Sequence, residues 1–137
     1  QKIVELTGIT DERLIGQPDM AEVLRTFDDI VGTRVVAGHN VKTFDLRFIR
    51  RAQMRHGIDV QSDYYIDTLK LMQKLHPELD GHKLFECGDF YGIDYDESAL
   101  HDALADTELC ARVLLAQIQE LQTKGVVTFE DMIRFLI

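Results

Sequence analysis

Three side chains raise the question of chemistry first: Asp45, His101 and Asp106. Asp106 begins a stripe continued by Leu109, Cys110 and Val113. Residues three, four and seven apart share one side of a helix, so the spacing turns this carboxylate inward near a helix start. Asp45 shares a face with Phe48, Ile49 and Ala52 by the same rule. A carboxylate on an inward face is costly unless a cation or N–H donors meet it. For Asp45 alone, the plain reading is an acid stabilised by the free N–H groups of its own helix start. Two helices that each aim a carboxylate into the core beside strand ends point further. Carboxylates sharing a site repel unless metal ions neutralise them, and ligation by oxygen alone favours Mg²⁺ or Mn²⁺ over zinc. His101 would lie on a different face from Asp106 if one helix carried both. If Asp102 caps that helix, His101 belongs to the preceding loop and can turn toward the same site, where an imidazole serves as a general base. The plain alternative for His101 is a surface or capping residue.

The elements that must position these groups are legible from punctuation and periodicity. Residues 1–10 read as an irregular or extended lead-in. Thr10 is expected to cap a short helix over Asp11-Glu12-Arg13-Leu14, closed by Gly16. Pro18, Asp19 and Glu22 open a helix. Met20, Val23, Leu24, Phe27, Ile30 and Val31 predict burial along one side, and Gly32 ends it. Arg34-Val35-Val36-Ala37-Gly38 fits a strand covered on both faces, and Tyr64-Tyr65-Ile66-Asp67 a second strand. Helices are expected over 43–56 with Gly57 as the stop, from Thr68 to before Pro77, and over 83–91 before Gly92. A long helix capped by Asp102 runs over 103–122, and Thr128 with Asp131 forms a capping box for a last one. Strand, helix, strand and further helices predict a right-handed crossover in an α/β fold. Two parallel strands are nevertheless too little sheet for so many apolar helices.

Composition narrows the function classes. The 137 residues suit one domain, and 45% of them are apolar. No apolar run approaches the ~18 residues of a membrane span, and no basic-plus-apolar secretory signal opens the chain. Cys87 and Cys110 are neither close in sequence nor set near His at metal spacing, which predicts a reduced, cytoplasmic setting. A net charge of −9 does not suit a protein that grips long duplex DNA through many phosphates. It does suit an enzyme that needs carboxylates for cations and touches few nucleotides.

Two segments carry a family resemblance. His39-Asn40-Val41-Lys42-Thr43-Phe44-Asp45, after an apolar strand, resembles the second motif of the DEDDh 3′–5′ exonucleases, the proofreading epsilon-subunit-like group with a ribonuclease-H-like fold. His101-Asp102-Ala103-Leu104-Ala105-Asp106 resembles their third motif, and Leu6-Thr7-Gly8-Ile9-Thr10 and Asp67-Thr68-Leu69 resemble further stretches of that family. The resemblance implies an α/β ribonuclease-H-like domain over 1–137 with an incomplete, two-stranded parallel sheet and flanking helices. It also implies two-metal phosphodiester hydrolysis with Mg²⁺ or Mn²⁺. By that analogy Asp106 and Asp45 are metal ligands, and His101 takes the proton of the attacking water. Nucleoside monophosphates leave from the 3′ end of single-stranded DNA or RNA, and a DNA polymerase subunit is an expected partner. His39 and Phe44 shape the substrate site, while Asn40 and Lys42 touch the strand's backbone. The family's first motif, Asp-x-Glu on an apolar strand, has no counterpart here, since Asp106-Thr107-Glu108 already lies in the third motif. The sequence is therefore expected to start just after the family's first three strands, and residues 1–137 alone to lack useful turnover.

Other residues carry plainer expectations. Arg47, Arg50, Arg51 and Arg55 read as a solvated face in preference to a substrate clamp, Phe44 as packing on the core or a terminal sugar, and Asp67 as a helix cap in preference to a support behind the site. The acids between Asp94 and Glu97 read as solvated, Tyr64, Tyr65 and Tyr91 as packing residues, and His76 and His82 as lacking visible partners. Two rivals stand beside the nuclease: a catalytically inactive relative that binds nucleic acid or a polymerase, and an HD-type phosphohydrolase. The latter requires an all-helical frame.

Overall fold

Local capping chemistry decides where the chain turns helical. The computed structural model describes residues 2–61 and 63–137. Its elements run α1 (Lys2–Thr7), α2 (Asp11–Leu14), α3 (Met20–Val31), β1 (Val36–Gly38), α4 (Asp45–Arg55), β2 (Tyr65–Asp67), α5 (Thr68–Leu75), α6 (Leu84–Phe90), α7 (Ala103–Thr123) and α8 (Phe129–Leu136). Asp19 accepts the Glu22 N–H at 2.8 Å to start α3, and Thr128 with Asp131 closes a capping box on α8. The lead-in is a correction to the sequence reading. Residues 2–7 are helical, because Thr7 Oγ1 donates back to the Ile3 carbonyl and Gly8, at φ +67°, takes its N–H to the Val4 carbonyl. Thr10 opens α2 without a side-chain cap bond.

β1 and β2 lie side by side in a parallel two-stranded sheet, and the Val36 N–H donates to the Tyr64 carbonyl at 3.1 Å. This bears out the α/β class and leaves the HD-type reading without its all-helical frame. β1 is not covered on both faces as expected: Val36 and Gly38 are half-buried and Ala37 is exposed. Strands of three residues in a lone pair leave too little surface to cover one another.

The chain forms two compact units, residues 1–36 with 42–65, and residues 37–41 with 66–137. In the first, α3 packs on α4. Only Leu24 of α3 is buried, and Met20, Val23 and Ile30 are exposed, against the expectation of one buried side. The apolar stripe is wider than α4 covers. Helix α4 is also rotated from its expected face. Leu46 and Gln53 are buried while Asp45 and Phe48 are exposed. One residue is a turn of about 100°, so an inward arc through 46, 49, 50 and 53 swings Asp45 out. Arg50 belongs to that arc rather than to a solvated face, and it pairs with Asp63 at 2.6 Å. Tyr64 is 64% exposed and therefore is not the packing residue expected.

In the second unit, α5 and α6 pack on α7, and α8 packs on α5. Leu109, Val113, Gln117 and Leu121 recur every fourth residue of α7 and are all buried. Leu109 and Val113 join Met72 and Cys87 in one core cluster, and Leu121 joins Leu71 and Met132 in another.

Candidate functional site

The first residues of α7 are held by Asp102, whose Oδ1 accepts the N–H groups of Leu104 and Ala105, each at 3.1 Å. The expected cap is thus in place, and His101 lies in the loop before the helix. Its backbone is left-handed, at φ +74°. That conformation directs the His101 N–H back to Asp106 Oδ1 at 3.3 Å, and closes the loop onto the first turn of the helix. Asp106 is half-buried at the head of the Leu109–Cys110–Val113 stripe, while His101 is exposed. A cleft of about 240 Å³ opens beside them, lined by Asp94, Asp96, Asp106, Glu108 and Arg112 among others. The Arg112 guanidinium donates to the Asp94 carbonyl, and Ser98 donates through its hydroxyl and N–H to Asp96 Oδ1. Those Ser98 bonds hold the Asp96 carboxyl below its ordinary range. Asp96 is therefore a turn-forming acid rather than merely a solvated one.

The other motif segment starts in the same unit. Asn40 is likewise left-handed, at φ +60°, and its N–H donates to Asp67 Oδ1 at 2.9 Å. The same Asp67 oxygen accepts the Leu69 N–H at 3.1 Å, so the expected cap of α5 is present and carries a second bond. His39 Nδ1 lies 2.9 Å from Thr68 Oγ1, and the Thr68 hydroxyl also donates to the Gly38 carbonyl at 3.3 Å. Burial pushes the His39 imidazole below its ordinary pKa, against a weaker opposing bond to the His82 backbone. His39 thus shapes the loop from within.

The rest of that motif belongs to the first unit. Lys42 is exposed, its ammonium 5.7 Å from the centre of the Tyr65 ring. Phe44 is 59% exposed and meets Phe48 edge to face at 5.2 Å, so it does not pack on the core as one of its expected readings had it. Asp45 is the first residue of α4 and is exposed.

Among the described residues, no three His, Cys, Asp or Glu side chains gather closely enough to hold a metal ion. The two motif carboxylates are the right donors for Mg²⁺ or Mn²⁺, but they are too few.

His76 and His82 correct the expectation that they lack partners. His76 Nε2 lies 2.9 Å from Glu120 Oε2, its Nδ1 lies 3.1 Å from Glu78, and His82 Nε2 meets the His76 carbonyl at 2.9 Å. Tyr91 donates its hydroxyl to the same Glu120 oxygen at 2.8 Å. Burial acts to raise the Glu120 carboxyl, and the bonds from His76 and Tyr91 outweigh it, so the net direction is down. Burial first and Glu120 second push the Tyr91 phenol well up. No local spacing signals contacts between residues this far apart in sequence.

Comparison with known proteins follows the motifs. The RNase T model of the exonuclease family matches residues 1–114. The DNA polymerase III PolC-type proteins of Staphylococcus aureus, of its strain MW2 and of its strain NCTC 8325 / PS 47 are each 31% identical to this chain over 131 residues. That stretch is 96% of the chain and 9% of each of those proteins, so the chain spans under a tenth of the relatives it matches. Among the described residues, no helix is long and apolar enough to cross a membrane.

Proposed function

The chain belongs to the RNase T-type exonuclease family, and from that premise we propose that it is the greater part of a DEDDh 3′–5′ exonuclease domain acting on the 3′ end of single-stranded DNA or RNA. The observation that carries this reading is backbone strain. Among the described residues, the only non-glycine residues with positive φ are Asn40 and His101, and each lies in one of the two motif segments. A left-handed backbone costs an ordinary residue about 1–2 kcal/mol, and such costs cluster where a site demands them.

His101 is the general base, worth about 10²–10⁴-fold in rate, and it receives the proton of the attacking water. Asp106 and Asp45 are carboxylate ligands for Mg²⁺ or Mn²⁺, whose chemistry is to activate water and offset the charge of the leaving oxygen. The two ligands still needed are the Asp and Glu of a strand-borne Asp-x-Glu outside residues 1–137. Asn40 and Lys42 contact the phosphate backbone, His39 shapes the loop, and Phe44 packs on the terminal sugar. The likeness to PolC-type polymerases supports a DNA polymerase as partner, and the thiols of Cys87 and Cys110 fit the cytoplasm as workplace. A second reading, a catalytically inactive module that only binds nucleic acid or a polymerase, draws on the incomplete ligand set.

The test is digestion of a 5′-labelled single strand with Mg²⁺ by the full-length gene product. The expected result is stepwise shortening from the 3′ end, release of nucleoside monophosphates and no useful turnover by residues 1–137 alone. Early loss of the 5′ label, or robust metal-dependent degradation by residues 1–137, overturns the proposal. Binding without shortening identifies the inactive module.

A further inference from the structure

Asp67 lies outside both motif segments, yet it ties one of them down. It is 2% exposed, and its Oδ1 takes two N–H groups: that of Leu69, at the head of α5, and that of Asn40. A cap needs only the first bond. The second reaches 27 residues back along the chain to a residue held left-handed. Thr68 continues the attachment, with its hydroxyl on His39 Nδ1 and the Gly38 carbonyl, and its own carbonyl receives the amide of buried Gln117 at 2.9 Å. Gln117 stands on α7, the helix whose first turn carries Asp106. The loop of His39 and Asn40 is therefore fastened, through Asp67 and Thr68, to the element that presents Asp106.

We infer that Asp67 is a positioning residue for substrate binding: its carboxylate holds the Asn40 backbone in the left-handed conformation in which the His39–Val41 loop meets the strand. This inference rests on the proposed nuclease reading, in which His39 and Asn40 line the substrate site. Asp67 touches neither substrate nor the reacting atoms. Its effect falls on the energy of ordering the loop, which enters KM more than the chemical step.

Two substitutions separate this role from capping. Asp67→Ser keeps an oxygen that caps the Leu69 N–H but is too short to reach Asn40. Asp67→Asn keeps an acceptor of the same length, able to take both bonds. In the full-length protein, Asp67→Ser is expected to raise KM for a single-stranded oligonucleotide about tenfold with kcat changed less than about threefold, the loss of one hydrogen bond to a carboxylate. Asp67→Asn is expected to return KM to within about threefold of the parent. Amide exchange at Asn40 should quicken about tenfold in Asp67→Ser, while amides of α7 keep their protection. Asp67→Ser with an unchanged KM and unchanged Asn40 protection overturns the inference, and so does equal impairment in both variants. Asp106→Asn serves as the internal control. If it abolishes degradation while Asp67→Ser leaves KM alone, the positioning role fails and the nuclease reading stands. If it has no effect, the nuclease reading fails first.

Discussion

Replacing His101 by glycine and by alanine separates its backbone from its imidazole. At φ +74° the side chain contributes strain, while the bond to Asp106 is made by the backbone N–H and survives either change. Alanine inherits the left-handed penalty of about 1–2 kcal/mol. Glycine escapes it but loses about 0.5–1 kcal/mol through the greater freedom of its unfolded chain. His101→Gly should therefore be more stable than His101→Ala by roughly 0.5–1 kcal/mol. At a urea slope of about 1–3 kcal/mol per molar, that moves the midpoint by roughly 0.2–1 M, readable by circular dichroism. Activity should respond in the other sense: both variants lose the base, so kcat of the full-length protein falls by about 10²–10⁴-fold in each. A glycine variant less stable than the alanine one refutes the strain argument. Nuclease activity spared in either variant refutes the assignment of the base.

Two further outcomes test the packing of the second unit. Leu121 is fully buried in a cluster with Leu71 and Met132, so Leu121→Ala should cost about 2–5 kcal/mol in denaturant unfolding, and a loss under about 1 kcal/mol would show that this cluster does not hold α7. Burial, then Glu86 and Cys110, push the Cys87 thiol up from 9.0 to about 11. The folded protein then keeps a proton that the unfolded chain releases, so the resulting stability is whole below pH 9 and declines as pH rises toward 11. Alkylation of Cys87 by iodoacetamide at pH 8 should be correspondingly slow, and rapid labelling without unfolding would contradict the burial.

Most of the fold is legible because its signals are short-ranged. Asp19, Asp67, Asp102 and Thr128 each cap the helix that follows, and a glycine turns the chain after α3, α4, α6 and α7. What the periodicity could not decide was rotation. In α4 the stripe through Asp45, Phe48, Ile49 and Ala52 and the stripe through Leu46, Ile49, Arg50 and Gln53 are one residue apart. Hydropathy prefers the former because Phe48 and Ala52 are apolar. The structure takes the latter: Gln53 is buried and Arg50 half-buried, and Asp63 receives the guanidinium. Helix α1 leaves no such trace for the opposite reason: six residues hold too little pattern to register, and only Gly8 marks the end.

The site divides along the same line. That Asp102 would free His101 into a loop followed from capping rules alone. The attachments that hold the motif segments did not, because they join residues far apart: Asn40 to Asp67, His39 to Thr68 and His76 to Glu120, at separations of 27, 29 and 44 residues. No residue propensity places Asn40 or His101 at positive φ either, although Asn and His tolerate it better than branched residues do. In both, a backbone N–H aimed at a carboxylate accompanies the conformation, Asp67 in one and Asp106 in the other. A tight loop whose amide meets an acid is a device that positions a neighbouring side chain without using that side chain's own atoms. It leaves the His101 ring exposed, as a group meant for a substrate would need to be.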